Sequence, residues 1–242
     1  MRELKEYTPG GVHEKVVNCL ANLPKGTLLD VPSGQGALSK TLETLGFKVF
    51  SGDIEIKNIL YRNGRCVQLD LSYFLPFKHT KFDYVVCSEG IEHIENPHHL
   101  IREFGRLIKK DGYLVITTPN VMAIKSRLRF LIYSYFDFFK YFGPLPPEAR
   151  YRIKEHHHQH LSPLLFGEMK FIFEKYGFKI EKVETNKMVR KWKIFFPLIK
   201  WFIKYKTKKK FPTDPLFISD VILEGEDLIL MAKHELEIFP KW

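Results

Sequence analysis

The chain has 242 residues, 45% of them hydrophobic and 14% aromatic, enough to bury one large core within a single α/β domain spanning 1–242. Its formal charge of +10 is concentrated: residues 187–210 hold ten Lys/Arg and no acid, leaving 28 basic against 28 acidic residues elsewhere, so outside that segment the chain is neutral and the total is no signature of nucleic-acid binding by the whole domain. Cys19, Cys66 and Cys87 form no CxxC pair, residues 1–11 lack the apolar core of a secretory signal, and no run reaches the roughly 18 apolar residues of a membrane span. The expectation is a cytoplasmic protein with free, buried thiols.

In chain order, Val16, Val17, Leu20 and Leu23 repeat with a helical period, which Pro24-Lys25-Gly26 ends. Residues 27–31 are short, apolar and flanked by Gly and Pro, as in a buried parallel strand, and 37–45 read as a helix closed by Gly46. Further strands are expected at 47–51, 66–69, 82–87 and 113–117, with a helix over 98–109. A helix over 162–176 capped by Ser162, a strand over 178–183 and a last strand over 228–232 complete the pattern. Strands alternating with helices imply a doubly wound, mostly parallel seven-stranded sheet with helices on both faces.

The turn Asp30-Val31-Pro32-Ser33-Gly34-Gln35-Gly36 sets two glycines between strand and helix, where backbone can approach a ligand without a Cβ. Alone it also suits a dinucleotide site or a plain tight turn. The sequel narrows the reading, because Asp53, Asp70 and Cys87-Ser88-Glu89 follow the next three strands. All four turns lie at carboxyl ends of strands, the edge where ligands bind in open α/β sheets. Asp53 is placed to accept hydrogen bonds from two ribose hydroxyls.

Glu89-Gly90-Ile91-Glu92-His93 spaces two carboxylates and an imidazole at i, i+3 and i+4, one face of a helical turn. That set suits a divalent ion, a general base oriented by a carboxylate, or a purely structural helix start. Downstream, His156, His157, His158 and His160 precede Ser162.

These spaced motifs resemble class I, Rossmann-like S-adenosylmethionine-dependent methyltransferases over 11–120, the cofactor-binding core, and again over 157–234. The resemblance is to the general type 11/12 or methionine-biosynthesis-like branch. It implies that S-adenosyl-L-methionine is held by Asp30, Pro32, Gly34 and Gly36 at its methionine end, by Asp53 and Ile54 at the ribose, and by Asp70 and Leu71 at the adenine. Ser88 and Glu89 would lie near the sulfonium. Pro32 departs from the commoner DxGxGxG pattern and removes one amide donor from the turn. The string SEGIEHIENP further resembles ubiquinone-type O-methyltransferases and metal-dependent RNA 2′-O-methyltransferases. That implies His93 and His157 as catalytic histidines, and Glu89, Glu92, His93 and His157 as a ligand set for a divalent metal, Mg or Mn. His158 is the better match to the RNA group.

Two aromatic-rich inserts, within 121–161 and 186–226, stand outside the common sheet and are expected to be helical and to cover an acceptor pocket. In the second, Trp192, Phe195, Phe196, Ile199, Phe202 and Ile203 approximate one face flanked by Lys191, Lys193, Lys200, Lys204 and Lys206, with Pro197 expected to kink or split it. Such a face suits an anionic membrane surface, single-stranded RNA or packing on its own domain, and bulky Ile and Leu favour lipid or core over bases. The preferred acceptor is a hydrophobic or lipid-linked small molecule, a quinone, lipid or glycan precursor, met by an enzyme peripheral on the inner membrane surface. RNA methylation and a non-catalytic, cofactor-binding accessory role are the alternatives.

Overall fold

Buried parallel strands need apolar residues on both faces, and the apolar runs of this chain take that form. The structure is a computed structural model that describes residues 4–139, 160–189, 195–210 and 215–235. Strands β1 (Thr27–Asp30), β2 (Lys48–Asp53), β3 (Cys66–Gln68), β4 (Phe82–Ser88), β5 (Ile108–Pro119), β6 (Phe178–Thr185) and β7 (Asp227–His234) form one sheet in the order β3-β2-β1-β4-β5-β7-β6. The first five pair in parallel, while β7 inserts antiparallel between β5 and β6.

Parallel neighbours require crossovers, which lay helices on both faces. Helices α1 (Val12–Leu20) and α2 (Ala37–Thr44) cover Leu28, Val49, Val86 and Val115 on one face. On the other, α3 (Pro97–Leu107) and α5 (Phe166–Lys175) cover Leu29, Val85, Leu114 and Ile116. Asn96 caps α3 by accepting from the His99 amide at 3.0 Å, and Pro97 occupies the first helical position, where no amide donor is needed. The strand order reverses between β1 and β4, so the crevice beyond their carboxyl ends is where such a sheet takes a ligand.

Three local expectations are corrected. The helix expected from Ser162 begins at Phe166, because the Leu161 and Ser162 amides donate to the Glu92 carbonyl and the Ser162 hydroxyl donates to the Ile94 carbonyl at 2.7 Å, holding that segment extended. Pro163 also disfavours a helical Ser162. Pro197 neither kinks nor splits α6 (Phe195–Lys210), since it is the third residue of the helix and first-turn amides lack intrahelical acceptors anyway. Glu89 shares no helical face with Glu92 and His93: Ile91–His93 is a single 3-10 turn, and Glu89 precedes it at φ 48°.

Candidate active site

The turn after β1 is fixed by its own chain. Gly34 and Gly36 adopt φ of 51° and 86°, values costly for residues with a Cβ, and a Cβ on Gly36 would stand 2.8 Å from that of Tyr61. Protein packing, not only ligand approach, therefore demands glycine there. Pro32 leans on Gly90, where an added Cβ would lie 2.6 Å from its ring, so the first and fourth turns interlock. Asp53 is buried; one carboxylate oxygen accepts from the Glu55 amide at 3.1 Å and the Asn58 side-chain amide at 3.4 Å, while the other accepts from the Gly34 amide at 3.0 Å and keeps a lone pair for a further donor. Ile54 follows it at the crevice rim, half-buried. Asp70 accepts from the Ser72 amide at 2.8 Å, and Leu71 beside it is buried.

Asp30 sits at the crevice floor with one carboxylate oxygen receiving the Ser39 hydroxyl at 2.6 Å. Its other oxygen and the Ser33 hydroxyl are buried without a partner. Burial raises the Asp30 pKa to about 7, the Ser39 hydroxyl and amide opposing and the Asp53 charge adding to the rise. Orphaned polar atoms at the head of a Gly-rich turn are what a bound ligand with its own donors would satisfy, so these residues fit the methionine end of S-adenosylmethionine.

At the reacting edge the Ser88 hydroxyl lies 3.0 Å from that of Thr117, which donates to the Glu89 carboxylate at 2.7 Å. Glu92 is fully buried and neither of its oxygens reaches hydrogen-bond geometry. Burial pushes its pKa to about 8, its own amide and the Thr118 hydroxyl offsetting part of the rise and the Asp227 charge adding to it. His93 Nε2 stands 3.8 Å from Glu92 Oε1, and the His93 and His160 rings meet edge-on at 4.8 Å. Burial, then the neighbouring His93, lowers the His160 pKa to about 4, so it is a neutral imidazole near pH 7. Phe139 closes the cluster 5.2 Å from the His160 ring.

Among the described residues, Glu92, His93 and His160 bring one ligand atom each within 4.8 Å of one another. Glu89 is not one of that group, and His157 and His158 lie outside the described residues. His160 was visible in HHHQH, but nothing in the sequence singles it out from its three neighbours. Asp227, buried at the start of β7, was missed because its place at this edge depends on β7 running antiparallel.

The inserts lie alongside. After α4 (Ile124–Tyr133) the chain turns back so that Asp137 accepts from Lys125 and, at 2.7 Å, from Arg129. A shallow surface pocket opens there, lined by Asn120, Lys125, Ser126, Asp137, Phe138 and Glu226 among others. The face expected on α6 divides in two. Phe196, Ile199 and Ile203 pack against Ile124 of α4 and Leu223 of α7 (Asp220–Glu224), whereas Phe195, Leu198, Trp201, Phe202 and Tyr205 are exposed. Lys200 pairs with Asp220 at 2.9 Å and with Glu224, and Lys204 pairs with Asp220 at 2.6 Å, so these two lysines lock α6 onto its own domain. Trp192, Lys191 and Lys193 lie outside the described residues. No helix among the described residues is long and apolar enough to cross a membrane.

The sheet order, the antiparallel β7 and ligand-facing turns after four successive parallel strands define a class I S-adenosylmethionine-dependent methyltransferase fold. The chain belongs to the methyltransferase domain family, whose sequence model matches residues 4–183. It is 33% identical over 110 residues to a ubiquinone biosynthesis O-methyltransferase of Glaesserella parasuis, covering 40% of this chain and 46% of that one. A protein of the same description from Rickettsia canadensis is 30% identical over 129 residues, covering 50% and 55%. The chain thus spans about half the length of the curated relatives it matches. A SAM-dependent methyltransferase from Archaeoglobus fulgidus superposes with a TM-score of 0.60 at 19% identity, covering 92% of each chain, a likeness of fold.

Proposed function

We propose that this enzyme transfers the sulfonium methyl of S-adenosylmethionine, in line, to an oxygen of a hydrophobic or lipid-linked small molecule, of the quinone, lipid or glycan-precursor kind. The observation that carries the reading is the buried Glu92 carboxylate beside the His93 and His160 rings, at the carboxyl edge that also holds the Gly-rich turn. Asp30, Pro32, Gly34 and Gly36 hold the methionine end, Asp53 and Ile54 the ribose, Asp70 and Leu71 the adenine, and Ser88 with Glu89 the sulfonium. Bound there, the donor supplies an electrophilic methyl carbon. His93 removes the proton of the acceptor hydroxyl, and Glu92 packs beside its ring. His160, neutral near pH 7, orients His93 from its edge. His157, outside the described residues, belongs to the same proposal as a second catalytic histidine. Alignment of donor and acceptor supplies much of the rate, on the order of 7–11 kcal/mol in well-oriented intramolecular cases.

The ubiquinone-biosynthesis description of the relatives supports a small hydrophobic acceptor. The outward aromatics of α6, continued by Lys206 and Lys208–Lys210, support docking on an anionic inner membrane surface from the cytoplasmic side. Incubating a cell extract with methyl-labelled cofactor and fractionating the products tests the reading. Label in the extractable lipid or quinone fraction is expected; label confined to RNA overturns the acceptor class, and cofactor binding without transfer to any fraction favours an accessory role.

One observation favours a second reading. The 4.8 Å grouping of Glu92, His93 and His160 suits a divalent Mg or Mn ion, as in metal-dependent 2′-O-methylation of RNA. Exhaustive chelation separates the two, because undiminished turnover removes the metal.

A further inference from the structure

The reacting edge carries a buried acid that this scheme leaves unused. Asp227 opens β7, and because β7 runs antiparallel to β5, its first residue lies at the carboxyl edge of the parallel strands. The register pairs Asp227 with Pro119 and Ile229 with Thr117. Asp227 is therefore the diagonal neighbour of Thr117 on one face, with Cβ atoms roughly 7 Å apart. Thr117 itself donates to the Glu89 carboxylate at 2.7 Å. Two carboxylates thus flank one threonine, directly beside Ser88.

Among the described residues, neither acid forms an ion pair with a Lys or Arg, although the Lys187 charge acts on Asp227 from a distance. Asp227 is fully buried, and neither of its oxygens has a hydrogen-bond partner. Its neighbour Lys187 closes instead on Glu226 at 2.7 Å. No described Lys or Arg forms an ion pair with Glu89, Glu92 or Asp227, although Lys200, Lys204, Lys187 and Arg106 all find carboxylates elsewhere. Uncompensated buried carboxylates are costly, and a ligand that brings a positive charge removes that cost. Burial is the largest cause of the raised pKa of all three acids, with the Glu92 and Asp227 charges raising Glu89 further, so a cation bound between Asp227 and Glu89 is what favours their charged forms.

We propose that Asp227 and Glu89 form an anionic socket for the positive charge of the methyl donor, so that the site holds the sulfonium in preference to the neutral thioether left after transfer. The proposal rests on the reading that Ser88 and Glu89 flank the donor sulfur. In the transfer the S–CH3 bond breaks, its electron pair stays on sulfur, a C–O bond forms to the acceptor, and the hydroxyl proton goes to His93. Sulfur then carries no charge, the socket loses its ligand's attraction, and product release is favoured.

Calorimetric titration of native protein and Asp227→Asn with S-adenosylmethionine, S-adenosylhomocysteine and sinefungin, in which an ammonium replaces the methylsulfonium, tests the socket. Removing one charge is expected to weaken the two cationic ligands about tenfold and to leave the thioether within about twofold. Unchanged thioether binding also shows that the variant folds. Should Asp227→Asn not fold, Glu89→Gln is read by the same ratio. An equal loss for all three ligands, or no loss, overturns the socket. If the native protein binds none of them, the cofactor reading itself fails.

Discussion

Replacing Asp30 by asparagine should make the ligand-free protein more stable in alkali while weakening cofactor binding. An aspartate titrates at about 3.9 in an unfolded chain, whereas burial raises Asp30 to about 7 in the folded protein. Between those values folding takes up a proton. Stability contributed by the protonated group is complete below about pH 4 and is lost as pH rises towards 7, at about 1.4 kcal/mol per unit. The native protein therefore surrenders roughly 4 kcal/mol by pH 8 on account of this one group. The substituted amide has no charge to bury and keeps the Ser39 hydroxyl as a donor to its carbonyl, so the variant avoids that loss. Urea denaturation of both proteins without cofactor, from pH 4.5 to pH 8, reads it as a stability difference that grows with pH in favour of Asp30→Asn. Using the difference isolates Asp30, because Glu92 and Asp227 tilt both curves alike. A difference constant to within about 1 kcal/mol across that range would refute the assigned burial.

Arg106 binds Glu103 at 2.6 Å and the Phe77 and Leu75 carbonyls at 2.8 and 3.0 Å, so it braces the loop that carries Asp70 and Leu71. Arg106→Met leaves Glu103 buried without its ion-pair partner, held only by the Leu75 amide, and should cost about 3–5 kcal/mol in denaturant melts. His160→Ala should lower the rate of label transfer about 100-fold with little change in cofactor Kd, while an equal loss of both would make it a binding residue. Changing Trp201, Phe202 and Tyr205 to Ser should abolish flotation with anionic vesicles. Lys200→Gln should instead lower the melting temperature and leave vesicle binding intact, and the opposite pattern would reverse the roles assigned to the two faces of α6.

The sheet was legible because its information is local. Apolar runs such as Phe82–Ser88 are best satisfied by a strand buried on both faces, and α1 and α2 announce their ends with Pro24 and Gly46. The residues proposed for the donor side are readable for the same reason: a parallel sheet delivers its strand ends to one edge, where Asp30, Asp53 and Ser88 end β1, β2 and β4 and Asp70 lies just beyond β3. What escaped reading depends on contacts between distant segments. Ser162 looks like a helix cap until the Glu92 and Ile94 carbonyls claim its donors. Asp227 looks like an acid in a loop until β7 reverses direction and carries it to the reacting edge.

Charge in 187–210 shows the same limit from the other side. Summed along the chain, its ten cations look like a surface seeking an anionic partner. Two that sit on the predicted lipid face, Lys200 and Lys204, find that partner within the molecule, in Asp220 and Glu224 of α7. Long basic side chains paired at a helix–helix contact orient the helix; they do not attract a bilayer. With them in place α6 can turn only its other side outward, and that side is Phe195, Leu198, Trp201, Phe202 and Tyr205. Residues of that size stay exposed at a cost of roughly 1.5–3 kcal/mol apiece relative to burial, which a monomer tolerates singly but not as a contiguous stripe without a use for it. The proposed membrane docking therefore rests on this aromatic side of α6, and the lysines' part is to decide which side is presented.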